Sequence, residues 1–431
     1  MTRRLSLLLV ICCLTLVGCR STQPQTPGLT EVIPPLMCTP PACQNGQTLV
    51  CPGDCPGGCG VVCANPVPAP GFAAAPTDWS GLESWLTAAW ADRIDTAAVR
   101  HALIQTQRQT SAADWETADL DNDVRDDWIL RLNTLAGEPD YADYGPVPTG
   151  RLWIVNGSGV VYRSETLPLV RVTRLIDLTG DGTEELVFEY TNLGASNAVT
   201  SYRVVSGSGG NFRNIVLPNS QSGEAAITMY NPDPIQFYDH DNDGRTDLAV
   251  HGGYDSAGGA GVIRESTQVW GWNGDTLALT ATVLDPAVWR HHVLYEANDL
   301  FVAGDFANAI LKYEAVINDQ SLQTFSFDGN SAPVYADLSV FAAFRLISAD
   351  LQTGNLSKAE QRLNWLQTTY PDRKITLYAA AQLLETWKAT KSLEQACQVA
   401  EDALSNAINP TGTLTDMGYA NPSLSAADLC P

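Results

Sequence analysis

The fold is best predicted from one nine-residue segment, which reads Asp239-His-Asp241-Asn-Asp243-Gly-Arg-Thr-Asp247. It places carboxylates at positions 1, 3, 5 and 9 of a nine-residue segment, and it places a glycine at position 6. The apolar run Leu248-Ala-Val follows at once. Carboxylates this close together repel one another unless a cation lies among them. The stretch therefore predicts a tight, oxygen-lined loop that leads directly into a strand.

The same pattern occurs three times along the chain. The copies begin at Asp119, Asp177 and Asp239, so they are spaced 58 and 62 residues apart. The first two copies also run into apolar segments, Trp128-Ile-Leu and Leu186-Val-Phe. A period near sixty residues indicates an array of structural repeats.

Calcium is the cation that these loops favour. Oxygen side chains in a flexible loop suit Ca²⁺ better than Mg²⁺ or a transition metal. Gly182 and Gly244 permit the sharp turn at position 6, where the first copy has Val124. Thr179 at position 3 lowers the charge of the second copy. We predict up to three calcium ions, and we interpret them mainly as structural.

Position 12 separates two families that share this acidic opening. An EF-hand loop needs a glutamate there and a helix after it, whereas this chain has Leu130, Phe188 and Val250. The three copies instead resemble the FG-GAP/VCBS repeats of integrin-alpha-like β-propellers, over residues 115–285. The resemblance implies that each loop joins two strands. It also implies three ligand sets: Asp119, Asp121, Asp123 and Asp127; Asp177, Thr179, Asp181 and Glu185; and Asp239, Asp241, Asp243 and Asp247.

The residue pattern along the rest of the chain predicts a fold class of β structure followed by α-helices. Between residues 115 and 285, β-rich runs such as Arg151–Val155 alternate with Gly/Asn/Asp turns. A closed propeller has about four to eight blades, so three copies predict a partial, propeller-like array of antiparallel strands. An open arc is favoured over a ring completed by another copy. Residues 79–114 carry apolar residues at helical spacing and are predicted to form a helical cap.

Residues 286–431 are predicted to form a helical solenoid. Two segments resemble tetratricopeptide repeats and a third resembles them weakly. The first has Ala297, Gly304, Phe306, Ala309 and Tyr313; the second has Gly354, Leu356, Ala359, Leu363, Leu366 and Pro371; the third has Leu383, Trp387, Leu393, Ala396 and Ala403. The wide first gap predicts an inserted loop around 320–333. The resemblance implies a concave face that binds a protein partner. A helical bundle that caps the β part is the alternative.

The N-terminal residues have the pattern of a targeting signal. Arg3 and Arg4 precede an apolar run that ends in Leu16-Val17-Gly18-Cys19. This resembles a bacterial lipoprotein signal over residues 1–18, which implies a lipid on Cys19 and a membrane-anchored protein on the extracytoplasmic face of the cell envelope. An ordinary secretory signal is the alternative. Residues 19–37 and the Pro/Ala-rich residues 64–78 are predicted to be a tether and a linker.

The cysteines agree with export. Residues 38–63 form a Cys-rich module in which disulfides are favoured over a zinc or iron–sulfur site, because no CxxC pair and no nearby histidine occurs. Two further cysteines are predicted to attach the C-terminal tail to a helix. The disulfide candidates are Cys38, Cys43, Cys51, Cys55, Cys59, Cys63, Cys397 and Cys430.

Composition excludes some functions and leaves others open. The chain of 431 residues has 48 acidic and 25 basic residues and a net charge of -23, so nucleic-acid binding is excluded. No HExxH, GxSxG, Walker-type or GxGxxG motif occurs, and no catalytic residue is assigned. His251, beside Gly252-Gly253, is interpreted as part of a loop. A non-catalytic interaction scaffold is favoured. A carbohydrate-binding or adhesion module using Trp270 and Trp272 is the alternative, and an undetected hydrolase comes third.

Overall fold

The computed structural model describes residues 48–50, 62–64, 73–138, 147–220, 223–254, 258–405, 413–425 and 427–429. The chain divides into two compact units, residues 1–66 and residues 67–431. In the first unit, strands β1 (Thr48–Val50) and β2 (Val62–Ala64) pair antiparallel. The predicted signal, Cys19 and the disulfide candidates Cys38, Cys43, Cys51, Cys55 and Cys59 lie outside the described residues.

The described part of the second unit opens with two helices, α1 (Trp79–Ala91) and α2 (Thr96–Gln105). Asp78 begins α1 by accepting a hydrogen bond from the main-chain nitrogen of Gly81 at 2.7 Å. Side-chain caps of this kind satisfy N–H groups that have no partner inside the helix. The apolar faces of both helices pack on the tryptophans of the following sheet, Trp128 and Trp153 among them. The predicted helical segment 79–114 therefore contains a helix pair.

Three open antiparallel sheets follow, and they share one plan. In each sheet the first four strands pair in chain order, and an acidic loop joins the first strand to the second; a fifth strand of the first and second sheets pairs with the third strand of its sheet. The first sheet comprises β3 (Trp115–Ala118), β4 (Asp127–Asn133), β5 (Thr149–Asn156), β6 (Gly159–Arg163) and β7 (Leu167–Pro168). The second comprises β8 (Arg171–Ile176), β9 (Glu185–Leu193), β10 (Ala198–Ser206), β11 (Arg213–Asn214) and β12 (Ile227–Tyr230). The third comprises β13 (Gln236–Tyr238), β14 (Asp247–Gly252), β15 (Ser266–Trp272) and β16 (Leu277–Leu284).

The apolar runs after the acidic loops become strands that are buried on both faces. Successive side chains of a strand point to opposite faces. In the first sheet, Leu130 faces the helix pair and its neighbour Ile129 faces the second sheet. In the second sheet, Phe188 faces the first sheet and Val187 faces the third. Burial on both faces explains why these runs are apolar throughout and show no alternation of polar residues.

Among the described residues, six helices follow the sheets and pack in chain order around one core. They are α3 (Arg290–Val302), α4 (Phe306–Asn318), α5 (Ser331–Gln352), α6 (Leu356–Thr369), α7 (Lys374–Thr390) and α8 (Leu393–Ser405). Residues 319–330 connect α4 to α5, at the place of the predicted insertion. The short strands β17 (Thr413–Thr415) and β18 (Leu424–Ser425) pair near the end of the chain. The coarse prediction, antiparallel β structure followed by a helical region, is confirmed.

Of the small residues singled out from the sequence, the alanines lie at helix contacts, and the two glycines lie in exposed turns after helices. Ala297, Ala309 and Ala359 are fully buried. Gly304 and Gly354 end α3 and α5 with φ values of 81° and 78°, which favour glycine. Cys397 of α8 is disulfide-bonded, and Cys430 lies outside the described residues. Within the described residues, none of the helices combines the length and the apolar character that crossing a membrane requires.

Candidate metal centre

The first acidic side chain of each loop organises the backbone of that loop. In the third loop, Asp239 Oδ1 accepts from the nitrogen of Asp243 at 3.1 Å and Oδ2 accepts from the nitrogen of Gly244 at 3.0 Å. In the first loop, Asp119 accepts from Asp123 and Val124 at 3.0 and 2.9 Å. One carboxylate thus folds both loops into the same tight turn.

The second loop is a variant of this turn. Asp177 accepts from the nitrogen of Gly182 at 3.0 Å, as in the other loops, but its other oxygen accepts from Gly180 at 2.6 Å. Position 4 therefore replaces position 5 as one of the donors. Because position 3 is Thr179, this loop has no second aspartate to bind the position 5 nitrogen.

Each loop contains two residues in the left-handed backbone conformation, at positions 4 and 6. The φ values are 62° and 70° for Asn122 and Val124, 75° and 89° for Gly180 and Gly182, and 63° and 88° for Asn242 and Gly244. Glycine and asparagine tolerate this conformation, whereas a β-branched residue does so at a cost. Of these two positions, only position 6 was predicted from the sequence to need a turn residue. The Asn or Gly at position 4 of each copy is the sequence feature from which the second left-handed residue could have been predicted.

The carboxylate at position 9 closes each loop by binding its second residue. Asp127, Glu185 and Asp247 are buried, at 1%, 0% and 6% exposure. They accept hydrogen bonds from the position 2 nitrogen of Leu120, Leu178 and His240, at 3.0, 2.8 and 2.9 Å. Each is also the first residue of its strand, so one side chain ties the loop to the sheet.

Two of the three loops bring potential ligand oxygens together. In the first loop, oxygens of Asp119, Asp121 and Asp123 lie within 4.8 Å of one another, and in the third loop so do oxygens of Asp239, Asp241 and Asp247. These are all-oxygen donor sets, which fit a calcium ion. The first and third loops therefore have the donor chemistry of a calcium site on the described geometry.

The oxygens of the second loop are turned to protein partners instead. Thr179 Oγ1 donates to Glu185 Oε1 at 3.3 Å. Ser208 Oγ donates to Asp181 Oδ2 at 2.8 Å. In the first loop, Asn156 donates in the same manner to Asp121 Oδ2 at 3.1 Å. Asn156 and Ser208 were not predicted from the sequence: Asn156 reaches the first loop from the last position of β5, and Ser208 reaches the second loop from the turn after β10.

The pKa values show the cost of gathering these carboxylates. Burial raises the pKa of Asp127 to about 7, and the charges of Asp121, Asp123 and Asp119 push it the same way. Burial followed by the charges of neighbouring aspartates also raises the pKa of Asp247. For Asp181, burial acts upward, but hydrogen bonds from Thr183 and Ser208 outweigh it and lower the pKa. A divalent cation would relieve the repulsion in the first and third loops.

A cleft lies beside the second loop. It has a volume of about 350 Å³, and its lining includes Asp181, Ser208, Asn211, Arg213 and Trp272. Trp270 and Trp272 are half-buried and pack toward the core between the second and third sheets. The cleft thus combines one aromatic side chain with several hydrogen-bonding groups.

The chain was compared with protein-family models, with curated proteins and with solved structures, and none of them matches it.

Proposed function

We propose that this chain is a non-catalytic interaction scaffold stabilised by up to three calcium ions. In this proposal the three sheets are an open, propeller-like array of FG-GAP/VCBS-type repeats. The observation that carries it is the repeated loop geometry, in which a position 1 carboxylate binds two main-chain nitrogens and a buried position 9 carboxylate closes the turn. The convergence of oxygens in the first and third loops supports calcium as the ligand.

Calcium-dependent stability is the direct test. A ligand present at about 100 times its dissociation constant adds about 2.7 kcal/mol per site to the free energy of unfolding. We expect the purified protein to melt at a clearly higher temperature in excess Ca²⁺ than in EDTA. Equal melting temperatures, with no calcium retained by the protein, would contradict the proposal.

The helical region is proposed to bind the protein partner in the manner of a tetratricopeptide array. Between α4 and α6 lies a cleft of about 370 Å³ lined by Glu314, Lys358, Gln361, Arg362 and Trp365, among others. Charged groups around one aromatic side chain suit an extended peptide segment. The matched pair of variants is Lys358→Glu, in the cleft, and Lys374→Glu, on the exposed start of α7. Partner capture from an envelope extract should be lost only in Lys358→Glu, and capture by both variants would contradict this assignment.

The proposed location is the extracytoplasmic face of a bacterial envelope, with the protein held by a lipid on Cys19. The disulfide at Cys397 supports an oxidising compartment, because disulfides are rare in the cytosol. Labelling cells with a lipid precursor tests the anchor. Label should be incorporated in the wild type and absent in Cys19→Ala, and equal labelling of the two would contradict it.

Carbohydrate binding is the second candidate function, and the cleft beside the second loop favours it. A tryptophan face can stack on a sugar ring while Asn211 and Arg213 donate hydrogen bonds. Binding to a glycan array should fall in Asn211→Ala and Arg213→Ala, which leave the half-buried Trp272 in place. An array on which the wild-type protein binds nothing would end this candidate.

A further inference from the structure

Four polar side chains gather at the end of the third sheet that lies opposite its acidic loop. Each comes from a different strand or from its flank. His251 lies in β14, four residues after the loop-closing Asp247. Asp233 precedes β13, Glu265 directly precedes β15, and Asp285 directly follows β16.

The register of the sheet places three of these side chains on one face. His251 pairs with Thr267, which pairs with Val283. Glu265 and Asp285 each lie two residues beyond those partners, so they share the face of His251. The main-chain nitrogen of Asp285 donates to the oxygen of Glu265 at 3.0 Å, which extends the pairing to this end. One ligand atom from each of His251, Glu265 and Asp285 lies within 4.8 Å of the other two.

The imidazole of His251 is held in a fixed orientation. Its Nδ1 lies 2.8 Å from Asp233 Oδ2. Its Nε2 lies 3.2 and 3.3 Å from the two carboxylate oxygens of Asp285. A neutral imidazole that donates from Nδ1 to Asp233 presents the lone pair of Nε2 to Asp285 and Glu265. A carboxylate behind a histidine is the arrangement that orients metal-binding histidines.

The equivalent place in the other two sheets is an ordinary ion pair. Arg131 of β4 pairs with Asp114 at 2.5 Å, and Glu189 of β9 pairs with Arg171 at 2.6 Å. Each of those pairs has one cation for one carboxylate. In the third sheet a single imidazole faces three carboxylates.

The nearby arginine does not correct this imbalance. The guanidinium of Arg264 binds the carboxylate of Glu296 at 2.7 Å and the main-chain oxygen of Asp285 at 2.5 Å. The carboxylates of Asp233, Glu265 and Asp285 thus exceed the positive charge available to them from His251. A bound cation would neutralise the excess negative charge at this end of the third sheet, whereas the ion pairs of the first two sheets are already balanced.

We propose that His251 Nε2, Glu265 and Asp285 bind a divalent transition-metal ion of the Zn²⁺ class, and that Asp233 is a positioning residue for His251. A nitrogen ligand beside two carboxylates suits Zn²⁺ and disfavours Ca²⁺. Tetrahedral ligands at about 2.0–2.1 Å from zinc are about 3.3 Å apart, which matches the distances from Nε2 to Asp285. Three protein ligands leave the fourth position to water or to a group on a bound molecule.

The experiment uses the purified protein saturated with Ca²⁺, so that the acidic loops are already filled. Zn²⁺ is titrated calorimetrically, and Co²⁺ is added separately as a visible probe of the coordination geometry. We expect one additional site per chain for the wild type, with a tetrahedral Co²⁺ spectrum. The site should be lost in His251→Gln. It should be retained in His240→Gln, which removes the histidine at the other end of the same sheet.

Two further variants separate metal binding from folding. Glu265→Gln should abolish the site without removing the imidazole, and Asp233→Asn should weaken Zn²⁺ binding by about 10-fold to 100-fold. Circular dichroism verifies that each variant is folded. The proposal is overturned if the wild type binds no Zn²⁺ beyond the calcium sites. It is equally overturned if binding persists unchanged in both His251→Gln and Glu265→Gln. Neither result bears on whether the acidic loops bind calcium.

Discussion

The carboxylate of Asp127 accepts a hydrogen bond from the main-chain nitrogen of Leu120 across 3.0 Å. Asp127 is the first residue of β4, and Leu120 is the second residue of the acidic loop that precedes it. The same relationship links Glu185 to Leu178 and Asp247 to His240. The buried carboxylate at position 9 therefore attaches the loop to the start of the strand. When it is ionised, it also places a negative charge beside the other acidic side chains of the loop.

Asp127 should make the calcium-free protein less stable as the pH rises. Its pKa is raised to about 7, above its unfolded value of about 3.9. The folded state therefore binds the proton more tightly, and its contribution is complete below about pH 4 and is lost as the pH rises through 7. Asp127→Asn keeps an acceptor for Leu120, so in EDTA at pH 8 it should raise the free energy of unfolding by about 2–4 kcal/mol.

The matched control for Asp127→Asn is Asp126→Asn, which changes the exposed neighbour by the same atoms. Urea unfolding at pH 5 and pH 8 in EDTA measures both. A gain at pH 8 that is equally large in Asp126→Asn would contradict the explanation by burial. In excess Ca²⁺ the order should reverse, because a neutral amide is a weaker calcium ligand than the carboxylate of Asp127.

Val124→Gly should stabilise the first loop. Val124 has a φ of 70°, which strains the backbone of a β-branched residue. Its side chain is 89% exposed, so packing contributes little to offset that strain. Relief of that strain, less the greater freedom of glycine in the unfolded chain, predicts a gain of about 1 kcal/mol. Urea unfolding measures it.

The reverse substitution in the third loop is the control. Gly244 has the same place and a φ of 88°, and an added Cβ would meet no atom within 4 Å. Gly244→Val should therefore destabilise the protein through backbone strain alone. The explanation by backbone strain at position 6 would be contradicted if Gly244→Val raised the free energy of unfolding, or if Val124→Gly lowered it.

His291 should make the protein less stable in mild acid. Burial, and then the charge of His292, lowers the pKa of His291 to about 4. The unfolded chain, with a pKa of about 6.5, binds the proton more readily, so the stability is complete above about pH 6.5 and falls as the pH drops toward 4. At pH 5 the loss due to this residue should be about 2 kcal/mol.

Comparison of the wild type with His291→Phe isolates this effect. The ring of His291 lies among those of Trp289, Tyr295 and Phe325, so phenylalanine has aromatic neighbours. The hydrogen bond from Nε2 to the oxygen of Val262 is lost at every pH. The difference in unfolding free energy between pH 7 and pH 5 should shrink by about 2 kcal/mol in the variant. An unchanged difference would contradict the prediction.

The acidic loops could be predicted from the sequence because their information is local. Nine consecutive residues carry the carboxylates, the turn residues and the start of the strand. The apolar runs Trp128-Ile-Leu and Leu186-Val-Phe likewise predict strands, and burial on both faces is the reason that they lack polar residues.

What could not be predicted depends on contacts between distant residues. Ser208 donates a hydrogen bond to the carboxylate of Asp181 in the second loop, which lies 27 residues earlier in the chain. His251 and Asp285 meet across 34 residues, and only the register of the third sheet brings them together. No local pattern marks such a pair. His251 was therefore interpreted from its glycine neighbours as part of a loop, whereas it lies within β14.

Calcium binding by the acidic loops is tested by the melting temperature in EDTA and in excess Ca²⁺. The wild-type protein and the double variant Asp241→Ala/Asp243→Ala are compared with Asp328→Asn, which changes an exposed aspartate between α4 and α5. Calcium should raise the melting temperature of the wild type and of Asp328→Asn equally, and it should raise that of the double variant less. If calcium shifts none of them, the acidic loops are turns without a metal and the calcium proposal is wrong. If calcium shifts all three alike, the third loop does not bind the ion.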